Sequence, residues 1–418
     1  MENSILQPKL ESHMRSSLGF RTLTLSRPLF LGSGHAVIER FKEVSKKTGE
    51  LQIYPDKYGN VKIKFYKIDM GIEWSVRFDV WGERAKLQYD VVEVKINPKT
   101  LCGIYDYITA ATIRDFYRAI ENFDNISESI SPLLGSFRDY RLKRIDYCVN
   151  FSVNELAPGC TSEQIIDLIK RSDIPSAFTE YTEYDEISHR KKPKSDSFYL
   201  MCQSVHINCY RKVVELQQRA EIGNRRMTSC VSQATVDEAR DIIRFEVQCK
   251  YLKVYSLSKE AKKAKYTVAT EFEYLLGDRM CRNIIEYYFK KTIGYGDWYS
   301  LKDAIAKIQS HNFNRQKENR LIEALNCVNQ CRSLAKAKAL YQGNDLLAFN
   351  RTLNDLSDLN INPVTIPRDW GIKQIPNLLC EYYRQKRLEQ SMYCLELLEK
   401  EDPNYFRKMI REQCRSEG

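Results

Sequence analysis

The chain has 418 residues, enough for two or three domains. Lys and Arg outnumber Asp and Glu 65 to 55, and the resulting charge of +10 fits a soluble basic protein or a phosphate-binding surface. No uncharged apolar run is long enough to span a bilayer and no signal-peptide pattern is present. The 13 cysteines lack zinc-finger or ribbon spacing, so we expect reduced, mostly buried thiols in a cytoplasm.

In chain order, residues 1–50 read as a poorly patterned lead-in with a helix at Ala36–Lys46. Within it, the apolar stretch from Thr22 to Leu31 is interrupted by Arg27 and Pro28. Leu51–Tyr54, Val61–Phe65 and Trp74–Phe78 alternate as strands, with turns at Tyr58–Asn60 and Met70-Gly71. Val91–Ile96 is a further strand, and Ile113–Asn122 a helix. Three polar–apolar strands then stand out: Arg144–Phe151, Val205–Tyr210 and Ile243–Cys249. At period two, Arg144, Asp146, Cys148 and Asn150 share one face of the first. His206, Asn208 and Tyr210 share one face of the second, and Arg244, Glu246 and Gln248 one face of the third. Between them, Thr161–Gln164 is a capping box that opens a helix, and a second helix runs near Lys212–Ile222. Beyond about residue 255 strand signals vanish. Ser300–Asp303 starts a helix, further apolar stripes follow to Leu356, Asn360–Pro367 breaks the pattern, and two last helices are expected around 373–400. No internal repeat is evident, and no phosphate-binding glycine loop.

This pattern predicts an α+β chain: a largely antiparallel sheet with helices on one face, then an all-α C-terminal part. We divide it as 1–50 lead-in, 51–290 α+β domain and 291–418 helical domain, the block 298–360 being either a helix-turn-helix or a helical bundle that packs on the sheet. If the three strands share one sheet, Asp146, Tyr210 and Glu246 lie together on its wetter face, with Glu215 just past the second strand. Carboxylates suit a hard divalent cation, and a cation beside a phenol suits attack on a phosphodiester. The plainer reading is a solvent face with cross-strand ion pairs. The cluster His189–Lys194, with Arg190, Lys191, Lys192 and Lys194, precedes the second strand, and Arg211, Arg219, Arg225 and Arg226 follow Tyr210. These bracketing basic segments are candidates for DNA backbone contact.

Arg144-x-Asp146, Tyr210-x-Lys212-x-x-Glu215-Leu216 and Arg244-x-Glu246, in that order, resemble the rolling-circle replication initiators of plasmids, phages and transposons. The branch is the one similar to transposon-encoded relaxase-like initiators and filamentous phage replication proteins. The resemblance covers roughly residues 60–290, and Tyr-Arg-Lys at 210–212 departs from the family's usual Tyr-Asp-Lys. It implies that Tyr210 nicks one strand at an origin and keeps the 5′ phosphate as a phosphotyrosine. Asp146, Glu215 and Glu246 would hold Mg2+ or Mn2+, and Lys212 and Arg244 would touch the phosphate or balance the carboxylates. It also implies single-stranded or cruciform origin DNA, a host helicase and polymerase as partners, and leaves a homodimer open. A nickase with a His-hydrophobic-His metal site is disfavoured, since no two of the five histidines are two apart. A non-catalytic origin-binding initiator or regulator, or a metal hydrolase using water, remain as alternatives. His206 is a candidate ligand or base, or an ordinary strand histidine. Tyr251 and Tyr255 are candidates for a second tyrosine in strand transfer.

Overall fold

The computed structural model describes residues 15–48, 51–55, 61–67, 71–81, 88–104, 107–185, 190–218, 231–267 and 271–401. Strand β1 (Ser17–Leu29) leads into helix α1 (Ser33–Thr48) and a meander of β2 (Leu51–Pro55), β3 (Val61–Lys67), β4 (Ile72–Trp81) and β5 (Gln88–Ile96). Helices α2 (Pro98–Leu101) and α3 (Ile113–Ile130) follow, then β6 (Arg141–Ser152), α4 (Val153–Leu156) and α5 (Ser162–Lys170). Next come β7 (Thr179–Glu180), a ribbon of β8 (Thr182–Asp185) and β9 (Arg190–Pro193), β10 (Ser197–Met201) and β11 (Val205–Arg211). Helical residues 212–218 (α6), α7 (Gln233–Glu238) and β12 (Ile242–Cys249) complete this part. The rest is helical: α8 (Tyr251–Lys263), α9 (Glu271–Leu276), α10 (Asp278–Thr292), then after β13 (Trp298–Tyr299), α11 (Leu301–Gln309), α12 (Arg315–Cys331), α13 (Leu334–Lys338) and α14 (Gly343–Asp358). Strand β14 (Gln374–Ile375) and α15 (Leu378–Glu401) end it. The two helices expected around 373–400 are therefore one helix preceded by a two-residue strand.

Ten strands form one sheet in the order β2-β3-β4-β5-β1-β6-β12-β11-β10-β7. Its described pairings are antiparallel, as the alternating patterns require. The segment expected to be a poorly patterned lead-in instead supplies β1, at the middle of the sheet. Its phase slips between Phe20 and Leu23, where a bulge leaves Arg21 and Thr22 against one position of β6. That slip hides the strand from a period-two search.

The chain follows one path twice. A first strand and a helix are followed by a meander whose last strand returns to the first: β5 onto β1, and β12 onto β6. The two first strands then pair with each other, which relates the halves by an approximate twofold axis. The sequences of the halves differ enough that no repeat shows in them.

One face of the sheet packs on the helices. Phe20, Leu23, Trp74, Val94, Ile145, Tyr147, Phe245 and Ile207 are fully buried there. Helix α3 meets this face with Phe116, Ala119, Phe123 and Ile130, which share one stripe, and Asp115 caps the helix by accepting from the Thr112 N–H at 2.8 Å. Phe123 packs against Trp74 and Phe137.

The opposite face is crossed by a strap, residues 107–111. Phe20 and Ala111 exchange backbone hydrogen bonds of 3.0 and 2.8 Å. The crossing is possible because residue 19 has no side chain: a Cβ there would lie 2.0 Å from the Ala111 carbonyl oxygen. Gly19→Ala is thus expected to lift the strap and to cost about 2 kcal/mol or more. Chemical denaturation checks this; an unchanged midpoint would mean the strap yields without loss.

Candidate active site

The register of β11, β12 and β6 assembles three polar rows on the strap-bearing face. Tyr210, Arg244 and Asn150 form the first row, Asn208, Glu246 and Cys148 the second, and His206, Gln248 and Asp146 the third. The three strands thus share one sheet as the alternation predicts. The face is less wet than expected, because the strap and α6 lie over part of it. Asp146 and Arg244 are each 1% exposed, and Lys212 and Asn150 are fully buried.

Tyr210 is buried, with its hydroxyl set between a cation and an anion. It accepts a hydrogen bond from Arg21 Nη1 at 3.1 Å and donates to Glu246 Oε2 at 3.3 Å. Arg21 arrives from the β1 bulge, and its Nη2 also reaches Glu215 Oε1 at 2.9 Å, while its Nη1 lies 4.0 Å from Glu246. Burial opposes the Arg21 charge, but Glu215, Tyr210 and Glu246 outweigh it and hold the guanidinium charged. Glu215, in α6, also pairs with Lys212. Burial and the Glu246 charge push the Tyr210 phenol well above its ordinary range, while Arg244 and Arg21 pull it back.

Asp146 lies diagonally across from Glu246 on the adjacent strand. Arg144 Nε and Nη2 donate to its two oxygens at 2.7 Å each. Burial raises the Asp146 carboxyl to about 6; the Arg144 hydrogen bonds oppose the rise and the Glu246 charge adds to it. Among the described residues, no three His, Cys, Asp or Glu side chains converge as a metal-binding group. Asp146 and Glu246 stand at diagonal positions on adjacent strands, with Asp146 held by Arg144, and Glu215 is held by Arg21 and Lys212.

Arg244 has a different setting from the one expected of a phosphate contact. Its Nε donates to Asn150 Oδ1 at 2.6 Å and its Nη2 to the Tyr107 carbonyl at 3.2 Å, so it ties the strap to the sheet. Its Nη1 has no partner among the described residues. His206 lies two rows from Tyr210 and pairs through Nδ1 with the Tyr199 hydroxyl at 3.0 Å. Burial, Lys250 and Arg144 lower its pKa to about 4. The folded chain thus keeps His206 neutral where the unfolded chain takes up a proton. Stability from this group is complete above about pH 6.5 and is lost as pH falls toward 4. His206→Gln is expected to flatten that acid limb in pH-dependent melting curves; an unchanged limb would place its origin elsewhere.

The basic candidates divide. Lys191 and Lys192 are exposed on β9, which Arg190 begins. Lys194 pairs with Glu183 at 2.7 Å and lies over the Tyr181 ring. Arg211 points away from Tyr210, to the helix face, where it pairs with Glu163 of α5 and lies 3.6 Å from Asp196. His189, Arg219, Arg225 and Arg226 lie outside the described residues, as does the turn at Tyr58–Asn60. Sequence reasoning missed Arg21, and the only signal for it is the break in alternation after Phe20.

No family model matches this chain, and no curated protein matches it either. One solved structure with some likeness is a rolling circle replication initiator protein from Geobacillus stearothermophilus. The two share 11% identity over 60% of this chain and 81% of that one, with a TM-score of 0.27. No helix among the described residues is long and apolar enough to cross a membrane.

Proposed function

We propose that this chain nicks and rejoins a DNA strand at a replication origin through Tyr210, starting rolling-circle replication of a mobile element. The observation that carries this reading is the Tyr210 hydroxyl held between Arg21 and Glu246 on a face with a second buried carboxylate, Asp146. A phenol is protonated at neutral pH and is a poor nucleophile until it loses its proton. Glu246 accepts the hydrogen bond from that proton and is placed to take it. Arg21 donates to the same oxygen and stabilises the phenolate that forms. The phenolate oxygen attacks phosphorus, the bond to the 3′ oxygen breaks, and that oxygen leaves as a 3′ hydroxyl after gaining a proton. The 5′ phosphate stays on Tyr210, and the reverse attack rejoins the strand.

Asp146 and Glu246 fit a divalent cation as a pair. They are carboxylates at diagonal positions on adjacent strands, and a cation between them would share Asp146 with the Arg144 guanidinium, which bonds to both of its oxygens. Magnesium commonly takes one or two carboxylates and fills its shell with water and phosphate oxygens. When bound, Mg2+ or Mn2+ would neutralise charge on the phosphoryl oxygens. Glu215 serves the site by fixing Arg21 and Lys212. The exposed lysines of β9 would grip the DNA backbone.

The test is a denaturing gel of purified chain with Mn2+ or Mg2+ and single strands tiled over its own gene and flanks. The expected result is a metal-dependent covalent adduct that retains a 3′-end label, while a 5′-labelled strand is shortened and released. Cleavage without adduct would indicate a nuclease using water, and binding without cleavage a non-catalytic initiator.

A further inference from the structure

A second surface combines exposed aromatic rings with basic side chains. Helix α8 buries Val254, Leu257 and Ala261 against the sheet. Tyr251 and Tyr255, one turn apart, face outward at 40% and 51% exposure. Their rings stack with centroids 6.2 Å apart and planes 28° apart. Lys143 sits 4.2 Å from the Tyr251 centroid and Lys259 4.4 Å from that of Tyr255. The two tyrosines, Arg141, Lys143 and Lys262 line one cleft, in which Glu271 is the acidic side chain. Lys143 is placed by a bulge: β6 spends one extra residue between Arg144 and Leu142. Bulges re-aim side chains, and this one sends a lysine to the aromatic pair.

We infer that this cleft is a binding platform for single-stranded nucleic acid, distinct from the Tyr210 site, with bases stacked on Tyr251 and Tyr255 and phosphates on Arg141, Lys143 and Lys262. Stacked, exposed tyrosines amid lysines are a poor solvent surface but match a strand whose every unit offers a flat ring and a negative charge. The lysine contacts over the rings do not block it. Exposed cation–π pairs are weaker than base–aromatic stacking, so a base displaces the ammonium, which then finds a phosphate close by. The cleft opens on the helix-bearing face of the sheet, so a strand joining it to the Tyr210 site would pass around the start of β6. Lys143 and Asp146 lie on one strand about 10 Å apart, and α8 begins just after β12, the strand of Glu246.

The test is fluorescence anisotropy with labelled oligothymidylate of about 15 nucleotides in EDTA. This probe has no origin sequence and the buffer prevents metal-dependent cleavage, so the result is independent of the nicking reading. The paired variant Tyr251→Ala with Tyr255→Ala is expected to weaken binding at least about tenfold, while Tyr251→Phe with Tyr255→Phe stays within about twofold of the parent. Lys143→Gln with Lys262→Gln should reduce the salt dependence of binding. If the alanine pair melts early, Tyr255→Ala alone, altering a half-exposed ring, is expected to show a several-fold loss. Wild-type affinity in a folded alanine variant, or a loss in the phenylalanine pair equal to that in the alanine pair, overturns the platform.

Discussion

Tyr210→Phe is expected to abolish the covalent adduct and to reduce strand cleavage by at least about a thousandfold, with DNA binding retained. The change removes one oxygen and leaves the ring. Because the hydroxyl both accepts from Arg21 and donates to Glu246, its loss leaves Arg21 paired with Glu215, and the stability cost should be about 1 kcal/mol. Chemistry and folding therefore separate in this variant. The adduct gel reads the first and thermal melting the second. An adduct that persists in Tyr210→Phe moves the nucleophile to another residue and removes the basis for the proposed role of Arg21. A variant that loses binding together with cleavage makes Tyr210 a structural residue.

Arg244→Ala is expected to destabilise the fold by about 3–5 kcal/mol. The guanidinium is almost wholly buried, and it satisfies both the Asn150 amide oxygen and the Tyr107 carbonyl. Truncation leaves those acceptors without their donor and opens a void beneath the strap. Hydrogen exchange should show where the loss is felt: the Phe20 and Ala111 amides, which close the strap on β1, should exchange faster. Arg244→Lys restores charge but not the planar fork, so an intermediate loss is expected. An alanine variant as stable as the parent would show that the strap does not depend on this arginine.

The alternation of Arg144–Phe151, Val205–Tyr210 and Ile243–Cys249 was enough to place Tyr210, Glu246 and Asp146 on one face, because side-chain direction in a strand is a local property. Local pattern could not reveal what lies across the sheet. Arg21 reaches Tyr210 over a sequence separation of 189 residues and from a bulge that breaks period two. The strap at residues 107–111 has no periodic signature, so nothing in the pattern showed that part of a face expected to be wet is covered. Arg211 is different, because its direction was legible in the alternation. Its place next to Tyr210 in sequence suggested a shared DNA surface, yet adjacent strand residues point to opposite faces, and it pairs with α5. The capping box at Thr161 was legible because all its parts lie within four residues, and it forms as expected.

On the proposed nicking function, the seam between β1 and β6 bears on when the chain could cut DNA. The half that carries Tyr210, Asp146 and Glu246 does not contain the guanidinium that bonds to the phenol; that group belongs to the half synthesised first. A fragment holding only the later half keeps Tyr210 and Arg244 but lacks Arg21. With that function, the pairing of β1 with β6 would act as an interlock: truncated or half-folded chains would lack the Arg21 guanidinium at the Tyr210 hydroxyl, and strand scission would wait for the intact sheet.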